Sequence, residues 1–358
     1  MSLGNYQSQL RIDLGALTSN WSFFAGQAHG AQCAAVIKAN AYGLGMKPVA
    51  TALAEAGCET FFVAHGLEGY QARQVLGPKA LIFVLNGVAP QECELFLEHD
   101  LTPVLNSLEQ ITLWQKRGLC CPAGVHLDTG MNRLGLSEEE LDQALGPLKS
   151  IQIAVIMSHL ACASDPDHPK NDMQRKAFLT LATQMPEAPL SLAASGGTLM
   201  GSQYCLDMVR PGIGLYGGSP FDRHSVALEP VVTLESPILQ LRSVGPGDTI
   251  GYGATWQADR RRIVATIGLG YGDGYLRSGS NRGFAIVAGA VCPILGRVSM
   301  DLISLDVTGA GSGAKIGAMA QFLGRDAPLD AQAQALDTLS YEILTRLGDR
   351  FERTYSQS

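Results

Sequence analysis

Ala34–Gly45 reads AAVIKANAYGLG. An apolar run suited to a buried strand ends on a lysine, and an asparagine, a tyrosine and two glycines follow at once. The run begins one residue earlier, as CAAVIK (Cys33–Lys38), and seven others share its form. They are TFFVAH (Thr60–His65), ALIFVLN (Ala80–Asn86), TPVLN (Thr102–Asn106), GVHLDTG (Gly124–Gly130), IAVIMSH (Ile153–His159), LSLAAS (Leu190–Ser195) and MVRPG (Met208–Gly212). Amphipathic stretches such as PQECELFLEHD and SEEELDQALGPL lie between them. Near-continuous apolar strands alternating with helices imply parallel strands covered on both faces. Eight such units predict an α/β fold, a closed (β/α)8 TIM barrel. A doubly wound open sheet is the alternative, weakened because no G-x-G-x-x-G follows the first strand.

After Tyr216 the texture changes. Val231–Gly324 reads as short strands broken by Gly, Pro and Asp turns, which predicts a mainly β C-terminal domain. The expected division is a cofactor-binding barrel over residues 10–225 and a β domain over 226–358 that also takes residues 1–9. A last helix is expected from near Ala331 through LSYEILTRL, with Asp330 as its N-cap.

Composition narrows the function. With 358 residues, 46% hydrophobic and 16% charged, the chain can build a large core. A formal net charge of −7 argues against a nucleic-acid partner, and no apolar run is long enough to span a bilayer. The N-terminal MSLGNYQSQLRIDL has neither a basic nor an apolar leader region, so a cytoplasmic location is expected. Eight scattered cysteines, Cys120 and Cys121 adjacent among them, form no C-x-x-C and suggest buried thiols in a reducing compartment. The seven histidines form no metal-ligand pair, so no metal site is expected.

In a barrel the chemistry sits where strands end. Read in order, those ends are Lys38, His65, Asn86, Asn106, Asp128, His159, Ser195 and Arg210, all polar or ionisable. Strand ends are often wet, so no single member of this set decides anything. Lys38 is the most informative. As a surface lysine it would reach out to solvent. Partly desolvated, it would be an amine able to condense with a carbonyl, as in pyridoxal-phosphate enzymes and aldolases. The glycines of SGG (Ser195–Gly197) and RPGIG (Arg210–Gly214), at the seventh and eighth strand ends, stand where barrels commonly seat a phosphate.

These residues resemble the alanine racemase family. VIKANAYGLG is similar to that family's pyridoxal-phosphate lysine motif. HLDTGMNRLG (126–135), MSHLA (157–161), MVRPGIGLYG (208–217), GYGATW (251–256), IGLGYGDGY (267–275) and GRVSMD (296–301) follow in family order and cover nearly the whole chain. The resemblance implies pyridoxal 5'-phosphate as cofactor, held covalently by Lys38. Tyr42, Ser195, Gly212 and Ile213 match the positions that seat its phosphate, and Arg210 the arginine facing its ring nitrogen. His159 matches the histidine bonded to that arginine. It further implies two catalytic bases on opposite faces of the substrate, Lys38 and Tyr252, the tyrosine coming from the partner in a homodimer. Arg133 and Met300 match residues that hold the substrate carboxylate, and Tyr271 one that narrows the entrance. The implied activity is interconversion of L- and D-alanine, for peptidoglycan precursors or for alanine breakdown.

Three positions depart from many members. Leu44 replaces a histidine, and His126 replaces a lysine that becomes carbamylated, which leaves Arg133 to be positioned by an anion or by Asp128. Asp349 falls near a tyrosine that contacts the phosphate, so it must point away or its loop must differ. Alternatives are a racemase of another small amino acid such as serine, a non-enzymatic pyridoxal-phosphate carrier, and a decarboxylase of basic amino acids. The β domain and Tyr252 weigh against the carrier, and Arg210 against the decarboxylase, which would place a glutamate there.

Overall fold

The structure, a computed structural model, describes residues 7–117, 121–223 and 226–357. Cys120 and residues 1–6, 224–225 and 358 of the expected domain ranges therefore lie outside the described residues. The chain divides into two compact units, one of residues 17–215 and 219–228, the other of residues up to 16, 216–218 and from 229 onward.

The first unit is built on parallel strands in sequence order: Ala35–Val36, Thr60–Val63, Leu81–Val84, Thr102–Leu105, Ala123–His126, Ile153–Met157 and Leu190–Ser191. An eighth strand, Met208–Val209, pairs in parallel with Gln32–Cys33, just ahead of the first. It reaches the seventh through a bridge between Ala194 and Arg210. Backbone bonds from Ala34 to Val209 O (2.9 Å), Val36 to Pro211 O (3.0 Å) and Arg210 to Ala193 O (2.9 Å) complete the seam. The predicted TIM barrel is thus the fold observed.

Burial explains the apolar runs. Thr60–Val63, Thr102–Leu105 and Ala123–His126 are buried at every position, one face under helices and the other inside the barrel. The Phe62 and Phe83 rings stack at 4.8 Å in this core. SEEELDQALGPL forms the helix Glu138–Leu148. Ser137 Oγ accepts the Glu140 N–H (3.3 Å) while the Glu140 carboxylate accepts the Ser137 N–H (2.9 Å), a reciprocal cap. No helix among the described residues is long and apolar enough to cross a membrane.

The second unit is rich in strands, as expected. Its spine is Val232–Val244. The first half pairs with Gln9–Asp13 and Met319–Leu323, the second with Arg262–Ile267, and register shifts at Leu234/Glu235 and Ile238/Gln240 bend the strand between them. Two sequence expectations are corrected here. Residues 10–13 were expected in the barrel, but they pair with Thr233 and its neighbours and with Glu352–Ser356, so hydrogen bonding puts them in this sheet. The single last helix is two, Leu329–Leu336 and Ser340–Arg346, because Asp337 turns into the left-handed region (φ +58°). Its N-cap is Pro328, and Asp330 instead accepts the Ser340 hydroxyl at 2.6 Å, tying the two helices together.

Candidate active site

At Lys38 the first strand passes into a tight turn. Ala39, Asn40, Ala41 and Tyr42 all adopt left-handed backbone angles, φ +53° to +55°. Each costs an L-residue about 1–2 kcal/mol, so the turn persists only where its surroundings hold it. Three groups do so. The Ala41 N–H donates to Ile37 O (2.9 Å), Asn40 Oδ1 accepts the Met46 N–H (2.8 Å), and Glu68 Oε1 accepts the Ala39 N–H (2.7 Å). Leu44, the departure in this motif, is fully buried in the core. Lys38 itself is partly buried, and its proton affinity is lowered by desolvation and by the charge of Arg133, with Glu68 opposing and Arg210 adding.

The turn carries Tyr42 against the eighth strand end. A Cβ on Gly212 would run into the Tyr42 hydroxyl, with Tyr42 Cζ at 3.2 Å, so glycine is required for this approach. Ser195 Oγ, buried, accepts the N–H groups of Gly212 (2.9 Å) and Gly214 (3.3 Å). Ile213 opens the short helix Ile213–Tyr216, where the first amides have no intrahelical acceptor. Two hydroxyls and several backbone amides, two of them donating to Ser195 Oγ, meet here, groups of the kind that can serve an anion.

Arg210 is 3% exposed, and among the described residues no carboxylate pairs with it. Its guanidinium donates to Ser191 Oγ (2.5 Å), Ser158 O (2.8 Å) and Leu192 O (3.5 Å), lies 3.4 Å from His159 Nδ1, and sits over the Phe62 ring. Burial lowers it to about 10, so it stays charged near neutrality. His159 is pushed well below the usual histidine range by burial and by Arg210 and Arg133, and is neutral. Buried Gln174 braces this loop, donating to His159 O (3.0 Å) and Thr129 Oγ1 (3.2 Å) and accepting from Ala161 N–H (2.8 Å).

The tautomer of His126 follows from its neighbour. The Asn106 amide donates to Leu85 O (3.0 Å) and Val104 O (2.7 Å), so its Oδ1, 2.9 Å from His126 Nδ1, is an acceptor. His126 therefore carries its proton on Nδ1, and burial and Arg210 lower its pKa to about 4. Of the two means expected to position Arg133, an anion or Asp128, the second is not what the structure shows. Its carboxylate is occupied by the N–H groups of Gly130 (2.8 Å), Met131 (2.9 Å) and Asn132 (2.9 Å), which shape its own loop, and it makes no ion pair with exposed Arg133.

The barrel thus brings together Lys38, Tyr42, His159, Ser195, Arg210, Gly212 and Ile213, with Arg133 on the adjoining loop. Tyr252, Tyr271 and Met300 belong to the β unit. Tyr252 is 72% exposed at the tip of a hairpin of Thr249–Ile250 and Trp256–Gln257, anchored by Ile250 and Trp256 against Val244, Val264 and Leu295. Tyr271 and Met300 lie on two loops joined by bonds from Tyr271 N–H to Ser299 O (3.0 Å) and Gly272 N–H to Met300 O (2.8 Å). Asp349 points into solvent, with Arg353 3.6 Å away. Sequence reasoning missed Glu68, Gln174, Ser158 and Ser191. Only Glu68 had a signal, as the third helical residue after the strand end at His65. No group of three or more His, Cys, Asp or Glu among the described residues is arranged to hold a metal.

Two sequence families match the chain, "Alanine racemase, N-terminal domain" over residues 12–220 and "Alanine racemase, C-terminal domain" over residues 231–355. The chain is 46% identical to a protein of Agrobacterium fabrum named "Alanine racemase, catabolic", covering 99% of this chain and 93% of that one. It is 44% identical to the alanine racemase of Rhodospirillum rubrum, covering 97% and 95%. Among solved structures, alanine racemase from Bartonella henselae with covalently bound pyridoxal phosphate superposes with a TM-score of 0.93, at 37% identity, over 98% of this chain and 99% of that one.

Proposed function

The chain belongs to the alanine racemase family, and from that premise we propose that it interconverts L-alanine and D-alanine with pyridoxal 5'-phosphate by a two-base mechanism. Its residues fit the cofactor. Lys38 offers an amine of lowered proton affinity for the covalent bond, Tyr42, Ser195, Gly212 and Ile213 offer an anion seat, and Gly212 leaves the space that a side chain would fill. When bound, the cofactor supplies an electron sink that acidifies the Cα–H of an attached amino acid.

The chain's own groups supply the rest. Racemisation takes a proton from one face of Cα and returns one to the other, which a single base serves poorly. Lys38 Nζ holds the proton on one face and Tyr252 Oη on the other. Tyr252 comes from the second copy in a homodimer, a role its exposure on a braced hairpin suits. Arg133 and the Met300 N–H orient the substrate carboxylate, and Tyr271 limits side-chain size at the entrance.

The observation that carries the reading is Arg210. A buried guanidinium with which no carboxylate among the described residues pairs, held by Ser158 and Leu192 carbonyls and a neutral histidine, can only donate hydrogen bonds. With the cofactor bound, Arg210 would stand at the ring nitrogen and keep its own proton, which would limit the sink and favour simple return of the proton over transamination. The reading includes a cytoplasmic location, where the free thiols of the described cysteines stay reduced. In the cell the reaction supplies D-alanine for peptidoglycan or removes it for catabolism.

The test is a coupled assay of both directions with a panel of amino acids, on wild type, Lys38→Ala and Tyr252→Phe. Lys38→Ala is expected to hold no covalent cofactor, and Tyr252→Phe to lose at least ~100-fold in rate, the size of a removed general base. A Tyr252→Phe enzyme as fast as wild type both ways would overturn the two-base assignment. A wild type that turns over serine faster than alanine would overturn the substrate.

A further inference from the structure

Glu68 stands on the helix Gly66–Leu76 that follows the second barrel strand, yet its carboxylate reaches beyond that helix. Oε2 accepts the N–H of Ala64 (2.7 Å) and His65 (3.3 Å), at the end of the second strand. Oε1 accepts the Ala39 N–H (2.7 Å), the first amide after Lys38. An ordinary helix-capping glutamate would satisfy only its own N-terminus. This one joins two strand ends and holds the first residue of a left-handed run that no local preference favours. We propose that Glu68 is the positioning residue for Lys38: its carboxylate joins two strand ends, pins the turn that aims the amine and places a negative charge near it.

The charges around Lys38 give this role its weight. Arg133 and Arg210 are cationic, and His159 is neutral, so Glu68 is the anion that opposes the two arginines at the amine. It does so across space, without an ion pair to Lys38. Its bonds to three backbone amides fix the carboxylate in place. Were the charge removed, Lys38 would release its proton at lower pH and act as a weaker base.

The inference deepens the reading of Lys38 given above, and its test does not depend on that reading. In cofactor-free protein, the pH dependence of Lys38 modification by an amine-reactive reagent is followed by peptide mass spectrometry, with exposed Lys47 and Lys176 as internal standards. Glu68→Gln keeps the size, removes the charge and replaces one of the two acceptor oxygens with an NH2. It is expected to move the Lys38 midpoint to lower pH and to speed labelling several-fold on the rising limb, with both standards unchanged. Glu68→Asp draws the charge back by one methylene and should shift the midpoint the same way by less, which keeps the test available if the first variant folds poorly. Superimposable Lys38 curves for wild type and either folded variant would overturn the proposal. Whether Lys38 carries the cofactor is read separately, by reductive trapping and peptide mapping of the loaded wild type.

Discussion

Gly212→Ala tests the anion seat where its geometry is tightest. The added Cβ would run into the Tyr42 hydroxyl, with Tyr42 Cζ at 3.2 Å and Val36 Cβ at 3.5 Å. Tyr42 is 5% exposed and belongs to the left-handed turn, so it has little room to retreat. Overpacking of this kind costs about 1–3 kcal/mol. For a barrel that unfolds as one cooperative unit, 2 kcal/mol lowers the midpoint by about 4–8 °C. If Tyr42 instead turns aside, the seat loses a hydroxyl donor to an anion, worth about 1.5–3 kcal/mol, or roughly 10- to 100-fold in cofactor affinity. The assays are thermal unfolding of the cofactor-free protein and absorbance titration with pyridoxal phosphate, on Gly212→Ala, Tyr42→Phe and the double variant. Removing the hydroxyl should relieve most of the stability cost of Gly212→Ala without restoring affinity, a non-additive cycle. Wild-type affinity and an unchanged midpoint in Gly212→Ala, or a cost just as large in the Tyr42→Phe background, would refute the reasoning.

His126 makes stability depend on pH with a definite sign. In the unfolded chain it titrates near ~6.5 and in the fold at about 4, so between those values the unfolded state binds more protons. Its contribution is complete above about pH 6.5 and is lost as pH falls toward 4, up to about 3 kcal/mol. Unfolding midpoints at pH 4.5 and 7 should therefore differ less in His126→Gln than in wild type, and an equal difference counts against the neutral tautomer. His126 also cannot form a carbamate, so activity at constant pH should survive removal of dissolved CO₂. A reproducible loss that bicarbonate restores would show that another residue does.

The barrel was legible because its signals are local. Each apolar run needed only its own composition to read as a buried parallel strand, and a polar residue at its end marked the mouth. Lys38, Ser195 and Arg210 were found in this way, and the glycines of SGG and RPGIG marked where backbone comes close. The family resemblance added Tyr252 and the roles, which no periodicity contains. The break at Asp337 was missed because a single left-handed residue leaves the helical pattern on either side intact.

What the tertiary structure alone decided is which polar groups are spent on one another. Asn106 sets the tautomer of His126 from the neighbouring strand. Asp128 is used up within its own loop and makes no ion pair with Arg133. Ser158 and Ser191, far apart in the chain, share Arg210. Glu68 reaches back across 29 residues to the amide beside Lys38. Strand and helix patterns arise from burial, which every residue of a segment reports in turn. A hydrogen bond between distant strand ends joins atoms whose proximity no local stretch of sequence encodes.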